Sequence, residues 1–251
     1  METNFRTDRG DGVELAFSYL PGNGPTVVFL PGFRSDRNGT KALDLVAYCA
    51  ERRQAMLRLD YSGHGDSGGD FADGTIGVWL ADTLRIIDHA VTGEIILVGS
   101  SMGGWIALLA ALARPLQVVG LIGIAAAPDF TERLMWQAMA PAERKTLLQD
   151  GVLHVPSQYG DPYPVTSRLI EDGRTRLVLD ASIPLHCPVR LLAGQQDPDV
   201  PWELALTLSA KLEATDVRTI LIKDGDHRLS RPQDLSLLRA TLGDLLADLI
   251  R

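Results

Sequence analysis

Residues 94–108 read EIILVGSSMGGWIAL, and no other run constrains the chain as tightly. An apolar, β-branched strand runs straight into Gly99, Ser100, Ser101, Met102 and Gly103, and then into a helix of small residues. A strand-to-helix turn this sharp strains its central residue and lifts that side chain above the sheet. The Gly-x-Ser-x-Gly spacing makes Ser101, not Ser100, the central residue. Gly99 and Gly103 are expected to be obligatory, because a side chain at either would collide with the neighbouring strand and helix. A plain turn closing a βα unit can carry the same letters, so the pentapeptide alone leaves both readings open.

The rest of the chain alternates strand and helix. Apolar runs predict strands at 13–20, 26–30, 55–59, 94–98, 118–125, 189–193 and 218–222. Helical periodicity predicts helices at 40–53, 76–91, 103–113, 201–212 and 234–249. The second of these has Trp79, Leu80, Thr83, Ile86 and Ile87 on its inner side. Such alternation implies a mostly parallel sheet with helices on both faces. One stretch breaks the rhythm. Residues 128–187 contain no buried parallel strand, only amphipathic pieces (TERLMWQAMA, AERKTLLQD, RLIED) between Gly and Pro. It is too long for a connection, and is expected to be a helical cap inserted into a core of residues 1–127 and 188–251.

A serine nucleophile needs a base, and the base needs a carboxylate to orient it. On this fold the acid and then the histidine follow the serine in the chain. The run VRLLAGQQDPDVPW places Asp197 just past one strand, with Asp199 as its competitor; Asp197 is favoured because it lies nearer the strand end. The run TILIKDGDHRLS places His227 just past another. Asp197 alternatively reads as a turn former, and His227 as a solvated loop residue. The oxyanion is expected to meet two backbone N–H groups, those of Met102 and of Phe33 in LPGF. Leu134, Met135, Trp136 and Met139 form an apolar cluster read as half packing and half pocket wall; Trp105 and Trp202 serve either purpose. Arg168, Arg174 and Arg176 are expected to be solvated rather than to meet a substrate's acidic group. His64, in DYSGHGDSGG, reads as part of a tight turn, and His89, His154 and His186 as incidental. No metal-binding spacing occurs, and neither metal nor cofactor is expected.

A net charge of −8 argues against nucleic acid and anionic membrane surfaces. The opening METNFRTDRG has no apolar signal region, and no run is long enough to span a bilayer, so a cytoplasmic protein is expected, or a mitochondrial one if the chain is a trimmed mature form; a monomer or homodimer is expected. Cys49 and Cys187 read as free thiols.

Several runs together carry a resemblance. They are LPGF…NGTKALDLVAYCA, RLDYSGHGDSGG, ILVGSSMGGW, VPSQY, CPVRLLAGQQDPDVPW and DVRTILIKDGDHRLS. They resemble the mitochondrial palmitoyl-protein thioesterase family, also known for mycophenolic acid acyl-glucuronide esterase activity. The resemblance spans nearly the whole chain and is weakest in the expected cap. It implies an α/β-hydrolase fold with an eight-stranded, mostly parallel sheet. It also implies a triad of Ser101, Asp197 and His227, with Phe33 and Met102 as oxyanion donors. The expectation is a serine hydrolase acting on esters or thioesters of small molecules or acyl-proteins, with Trp136, Met135, Met139 and Trp202 near the substrate. Its rivals are C–C bond hydrolysis or perhydrolysis on the same triad, and a non-catalytic binding protein on the same scaffold.

Overall fold

Neighbouring residues of a strand point to opposite faces, and the central strands here are apolar on both. The computed structural model describes residues 1–157 and 160–249. In chain order the first elements are β1 (Thr3–Asp8), β2 (Glu14–Leu20), β3 (Asn23–Leu30), α1 (Thr40–Arg52) and β4 (Gln54–Leu59). Then come α2 (Ile76–Ala90), β5 (Ile95–Ser100), α3 (Met102–Ala113) and β6 (Val118–Ile124). A π-helical segment (Thr131–Trp136) leads into α4 (Pro141–Asp150), β7 (Val152–Ser157), β8 (Gly160–Thr166) and α5 (Ser167–Arg174). The chain closes with β9 (Val189–Gly194), α6 (Glu203–Lys211), β10 (Val217–Ile222) and α7 (Pro232–Leu249).

One sheet of eight strands has the order β1-β2-β4-β3-β5-β6-β9-β10. From β4 to β10 all neighbours are parallel; β2 joins β4, and β1 joins β2, antiparallel. Val27, Phe29, Met56, Ile96, Val98, Ile122 and Leu192 face α1 and α7, where Leu45, Cys49, Leu238 and Leu242 meet them. Their chain neighbours Val28, Leu57, Leu97, Leu121 and Leu191 face the other side, against Trp79 and Ile86 of α2, Trp105 of α3 and Leu208 of α6. Two-sided burial is why these strands read as continuous apolar runs. Within α2, Trp79, Thr83, Ile86 and Ile87 are buried as the periodicity required, whereas Leu80 is only half-buried.

Two elements differ from the sequence expectation. Strand β1 was not foreseen: TNFRTD lies on the sheet edge with only Thr7 buried, so it carries no apolar alternation. The segment between β6 and β9 is not purely helical. It holds the antiparallel hairpin β7–β8, in which His154 pairs with Pro164 and Val155 with Tyr163. Its prolines, Pro156, Pro162 and Pro164, read as loop signals, yet a two-stranded ribbon has edges on which proline is tolerated. Of the VPSQY run, Gln158 and Tyr159 lie outside the described residues. Among the described residues no helix is long and apolar enough to cross a membrane.

Candidate active site

From β3 the chain goes to β4 on one side of that strand and then crosses to β5 on its other side, so the strand order reverses there. Crevices at the carboxyl ends of strands beside such a switch are where open α/β sheets hold ligands. The loops after β3 and β5 flank this one.

Ser101 joins β5 to α3 at φ 55° and ψ −119°, a conformation that costs a non-glycine residue about 1–3 kcal/mol. Its surroundings hold it there. The Ser101 N–H donates to Ile124 O at 2.9 Å, and its carbonyl accepts from the amides of Gly104 at 2.9 Å and Ala127 at 3.1 Å. A Cβ on Gly99 would lie 2.2 Å from the Gly103 carbonyl oxygen, and one on Gly103 would lie 2.1 Å from that of Leu30. The helix therefore bars a side chain at the first glycine, and the adjacent strand bars one at the second. Met102 is the first residue of α3, so its N–H has no acceptor within the helix. Its side chain is buried in the core, which leaves the backbone as the part able to face the crevice. Phe33 anchors the loop after β3 through its ring, 5.1 Å from Phe71, 5.7 Å from Phe130, 5.8 Å from Tyr163 and 5.9 Å from Trp79.

Asp197 follows β9 and His227 follows β10, its sheet neighbour. Their loops come close at two glycines: a Cβ on Gly194 would lie 2.3 Å from Gly225 O. Asp197 Oδ2 accepts from His227 Nδ1 at 2.8 Å, while Oδ1 accepts the amides of Asp199 at 2.8 Å and Val200 at 2.9 Å. The two roles that compete in the sequence, turn former and histidine partner, fall to the two oxygens of one carboxylate. With Nδ1 engaged, Nε2 is the nitrogen left to take up a proton. Asp199 is exposed. Ligand atoms of Asp197, Asp199 and His227 lie within 4.8 Å of one another, with Asp197 bonded to the His227 ring and to the Asp199 amide.

The other histidines are placed differently. His64 is buried among Tyr61, Phe71 and Trp79, and burial pushes its imidazole down to about 4. It sits in a tight turn, between Gly63 at φ 72° and Gly65 at φ 49°. His89, His154 and His186 are exposed.

The expected pocket residues separate. Met139 packs with Leu147, Val165 and Ile170 in a small core of the segment between β6 and β9. Trp136 edges that cluster beneath two guanidinium groups, Arg174 at 4.5 Å and Arg144 at 5.3 Å. Met135 touches both this cluster and the main core, and Trp202 packs half-buried against the main core. Trp105 is wholly buried. The three arginines meet carboxylates of the chain itself: Arg168 with Asp73, Arg174 with Glu132 and Arg176 with Asp172. An open cleft of about 330 Å³ beside Phe33 is lined by Arg34, Ser35, His64, Phe71 and Tyr163, among others. Sequence reasoning had not singled out Arg34 or Tyr163. The Arg34 guanidinium lies 4.6 Å above the Tyr163 ring, a contact between residues too far apart in the chain for any local pattern to signal.

Residues 27–236 match the model of the alpha/beta hydrolase family. The human palmitoyl-protein thioesterase ABHD10, mitochondrial, is 40% identical over 241 residues, covering 95% of this chain and 78% of that protein. Among solved structures, a putative hydrolase from Agrobacterium vitis S4 matches with a TM-score of 0.92 at 40% identity, over 98% of both chains. The mouse alpha/beta hydrolase domain-containing protein 10 matches with a TM-score of 0.91 at 37% identity, over 98% of this chain and 99% of that one. With this sheet, this serine turn and these relatives, the chain is a hydrolase and belongs to the alpha/beta hydrolase family, in the branch that holds ABHD10.

Proposed function

We propose that the chain is a serine esterase–thioesterase working through an acyl-enzyme on Ser101, with long-chain S-acyl groups or acyl glucuronides as substrates. The observation that carries this is the 2.8 Å contact of Asp197 Oδ2 with His227 Nδ1, past the carboxyl ends of parallel strands, as the strained Ser101 also is. In this mechanism His227 Nε2 takes the Ser101 hydroxyl proton as Oγ attacks the acyl carbon. The Phe33 and Met102 N–H groups hold the oxyanion. The tetrahedral adduct expels a thiolate or alkoxide, which leaves with the proton held by His227. Water then attacks the acyl-enzyme, giving its proton to His227, and the collapse frees the acid and returns Ser101. Asp197 stays ionised and stabilises the imidazolium.

Residues 128–187 act in this reading as a cap, supported by the Tyr163 contact with Phe33. Met135 and Trp202 are then wall residues, and Met139 is packing. The palmitoyl preference is carried over from the name of the human relative. Cys49 and Cys187 are free thiols, which supports a reducing compartment: the cytoplasm, or the mitochondrion named for the relatives.

The test is labelling by a fluorophosphonate probe, with a panel of matched oxygen esters and thioesters of increasing chain length. The parent is expected to take one adduct on Ser101 and to favour long acyl chains, while Ser101→Ala takes none and turns over neither series. A folded Ser101→Ala protein with full activity overturns the mechanism. Turnover of diketones in place of both ester series overturns the substrate class.

A further inference from the structure

We propose that His64 is a positioning residue for the oxyanion loop, its Nε2 holding the Arg34 N–H and so fixing the turn that carries the Phe33 amide. The inference rests on the serine mechanism above and deepens it. His64 is only 4% exposed. Its ring is wedged between Phe71 and Trp79, each at 5.1 Å, and Tyr61 at 5.5 Å, all edge-on. Two of these rings, Phe71 and Trp79, are also neighbours of Phe33. Histidine and oxyanion loop therefore share one aromatic wall.

The hydrogen bonds fix the tautomer. Nδ1 lies 3.2 Å from the Ser62 carbonyl oxygen, which can only accept, so Nδ1 carries the proton. Nε2 is then a lone pair, and it accepts the Arg34 N–H at 3.3 Å. Ser62 is itself held. Its N–H and hydroxyl donate to Asp82 at 2.8 and 2.6 Å, and its carbonyl also accepts from Trp79 Nε1 at 3.2 Å. A chain of bonds thus runs from α2 through Ser62 and His64 to Arg34, the residue after Phe33. Arg34 adopts φ 58°, which a non-glycine residue rarely does. The turn is closed on its other side by Ser35 N–H donating to Gly32 O at 3.0 Å. His64 takes the amide in the middle of that turn.

This device works only while the imidazole is neutral, since a proton on Nε2 would set N–H against N–H. Burial keeps it so, pushing the imidazole down to about 4. The ionisable groups around it are Asp36 and Arg34 from the loop after β3, Tyr61 after β4, Tyr163 of the hairpin and Asp82 of α2 behind Ser62. The bond to the Ser62 carbonyl and then the Asp36 charge pull the imidazole upward, and burial outweighs both.

The test compares His64→Gln, His64→Asn and His64→Leu in the full chain. A glutamine oxygen reaches the place of Nε2, an asparagine amide only that of Nδ1, and leucine replaces neither. Gln is expected to keep kcat within about threefold. Asn and Leu are expected to lose about ten- to a hundredfold in kcat with KM little changed, less than the ~10²–10³ lost when an oxyanion donor is removed outright. Inhibition by a trifluoromethyl ketone, whose adduct places an oxyanion in the same site, should weaken in Asn and Leu in step with kcat. If Leu fails to fold, the Asn–Gln contrast decides. Equal rates for Asn and Gln, an undiminished kcat in folded Leu, or a loss confined to KM overturns the inference. Ser101→Ala run in parallel separates the two levels. If it is inert while His64→Leu is as fast as the parent, the positioning role alone fails; if it is active, the serine mechanism fails and this inference with it.

Discussion

Asp197 shows how much one side chain can be asked to do. Oδ1 shapes the turn by accepting two amides, and Oδ2 meets His227. These tasks are separable by mutation. Asp197→Asn presents an amide whose oxygen can still accept the Asp199 and Val200 amides, but whose NH₂ then faces His227 and reverses its tautomer. We expect kcat to fall about 10⁴-fold, the scale of such a reversal in serine triads, with the midpoint of thermal unfolding almost unmoved. Asp199→Asn, on an exposed neighbour, should stay within about threefold of the parent rate. Steady-state kinetics and a thermal melt of the two variants check both statements. Equal losses in the two would show that the carboxylates share the task.

At the scale of elements, the join between the sheet and the segment after β6 is held by Asp129. This residue is fully buried at φ 59°. Its carboxylate accepts the amides of Val178 at 2.8 Å and Leu179 at 3.0 Å, and the Arg133 guanidinium at 3.3 Å. Asp129→Ala leaves two buried amides without an acceptor, a loss of about 2–4 kcal/mol. Hydrogen exchange should then speed at Val178 and Leu179, while β5 amides keep their protection; faster exchange throughout the sheet would contradict a local role. No sequence pattern announced this join, because its partners are some fifty positions apart. What was legible follows the same logic. The parallel strands were readable as apolar runs and their helices as periodic apolar stripes, the two patterns that pack into the core clusters. Strand β1 was not, with five of its six residues exposed, and neither was hairpin β7–β8, whose prolines mimic loop signals. In the site, Gly99 and Gly103 were readable from steric need, and the placement of Asp197 and His227 from strand ends. The surroundings of His64 and Tyr163 are rings gathered from several loops, which no local window contains.

For the whole molecule, acid is the instructive stress. The folded imidazole of His64 lies at about 4, below the ~6.5 of an unfolded histidine. The unfolded chain therefore binds the proton first as pH falls. The stability His64 contributes is intact above pH ~6.5 and is lost progressively down to pH ~4, by at most about 3 kcal/mol. His64→Gln has no such proton to bind, so its melting temperature should fall less steeply than the parent's between those pH values. Parallel slopes would show that the imidazole is not the group responsible. The sheet has one further consequence. Strands β6 and β9 are hydrogen-bonded neighbours, paired from Leu121 with Val189 to Ile124 with Leu192, although more than sixty residues separate their ends along the chain. The sheet closes across that gap by β6–β9 pairing, and within the gap the Asp129 carboxylate ties the start of the intervening stretch to its end at Val178 and Leu179. Such a layout predicts that the intervening stretch can be exchanged as a unit. A chimaera that takes the residues between β6 and β9 from a relative is expected to leave the strands that hold Ser101 unchanged.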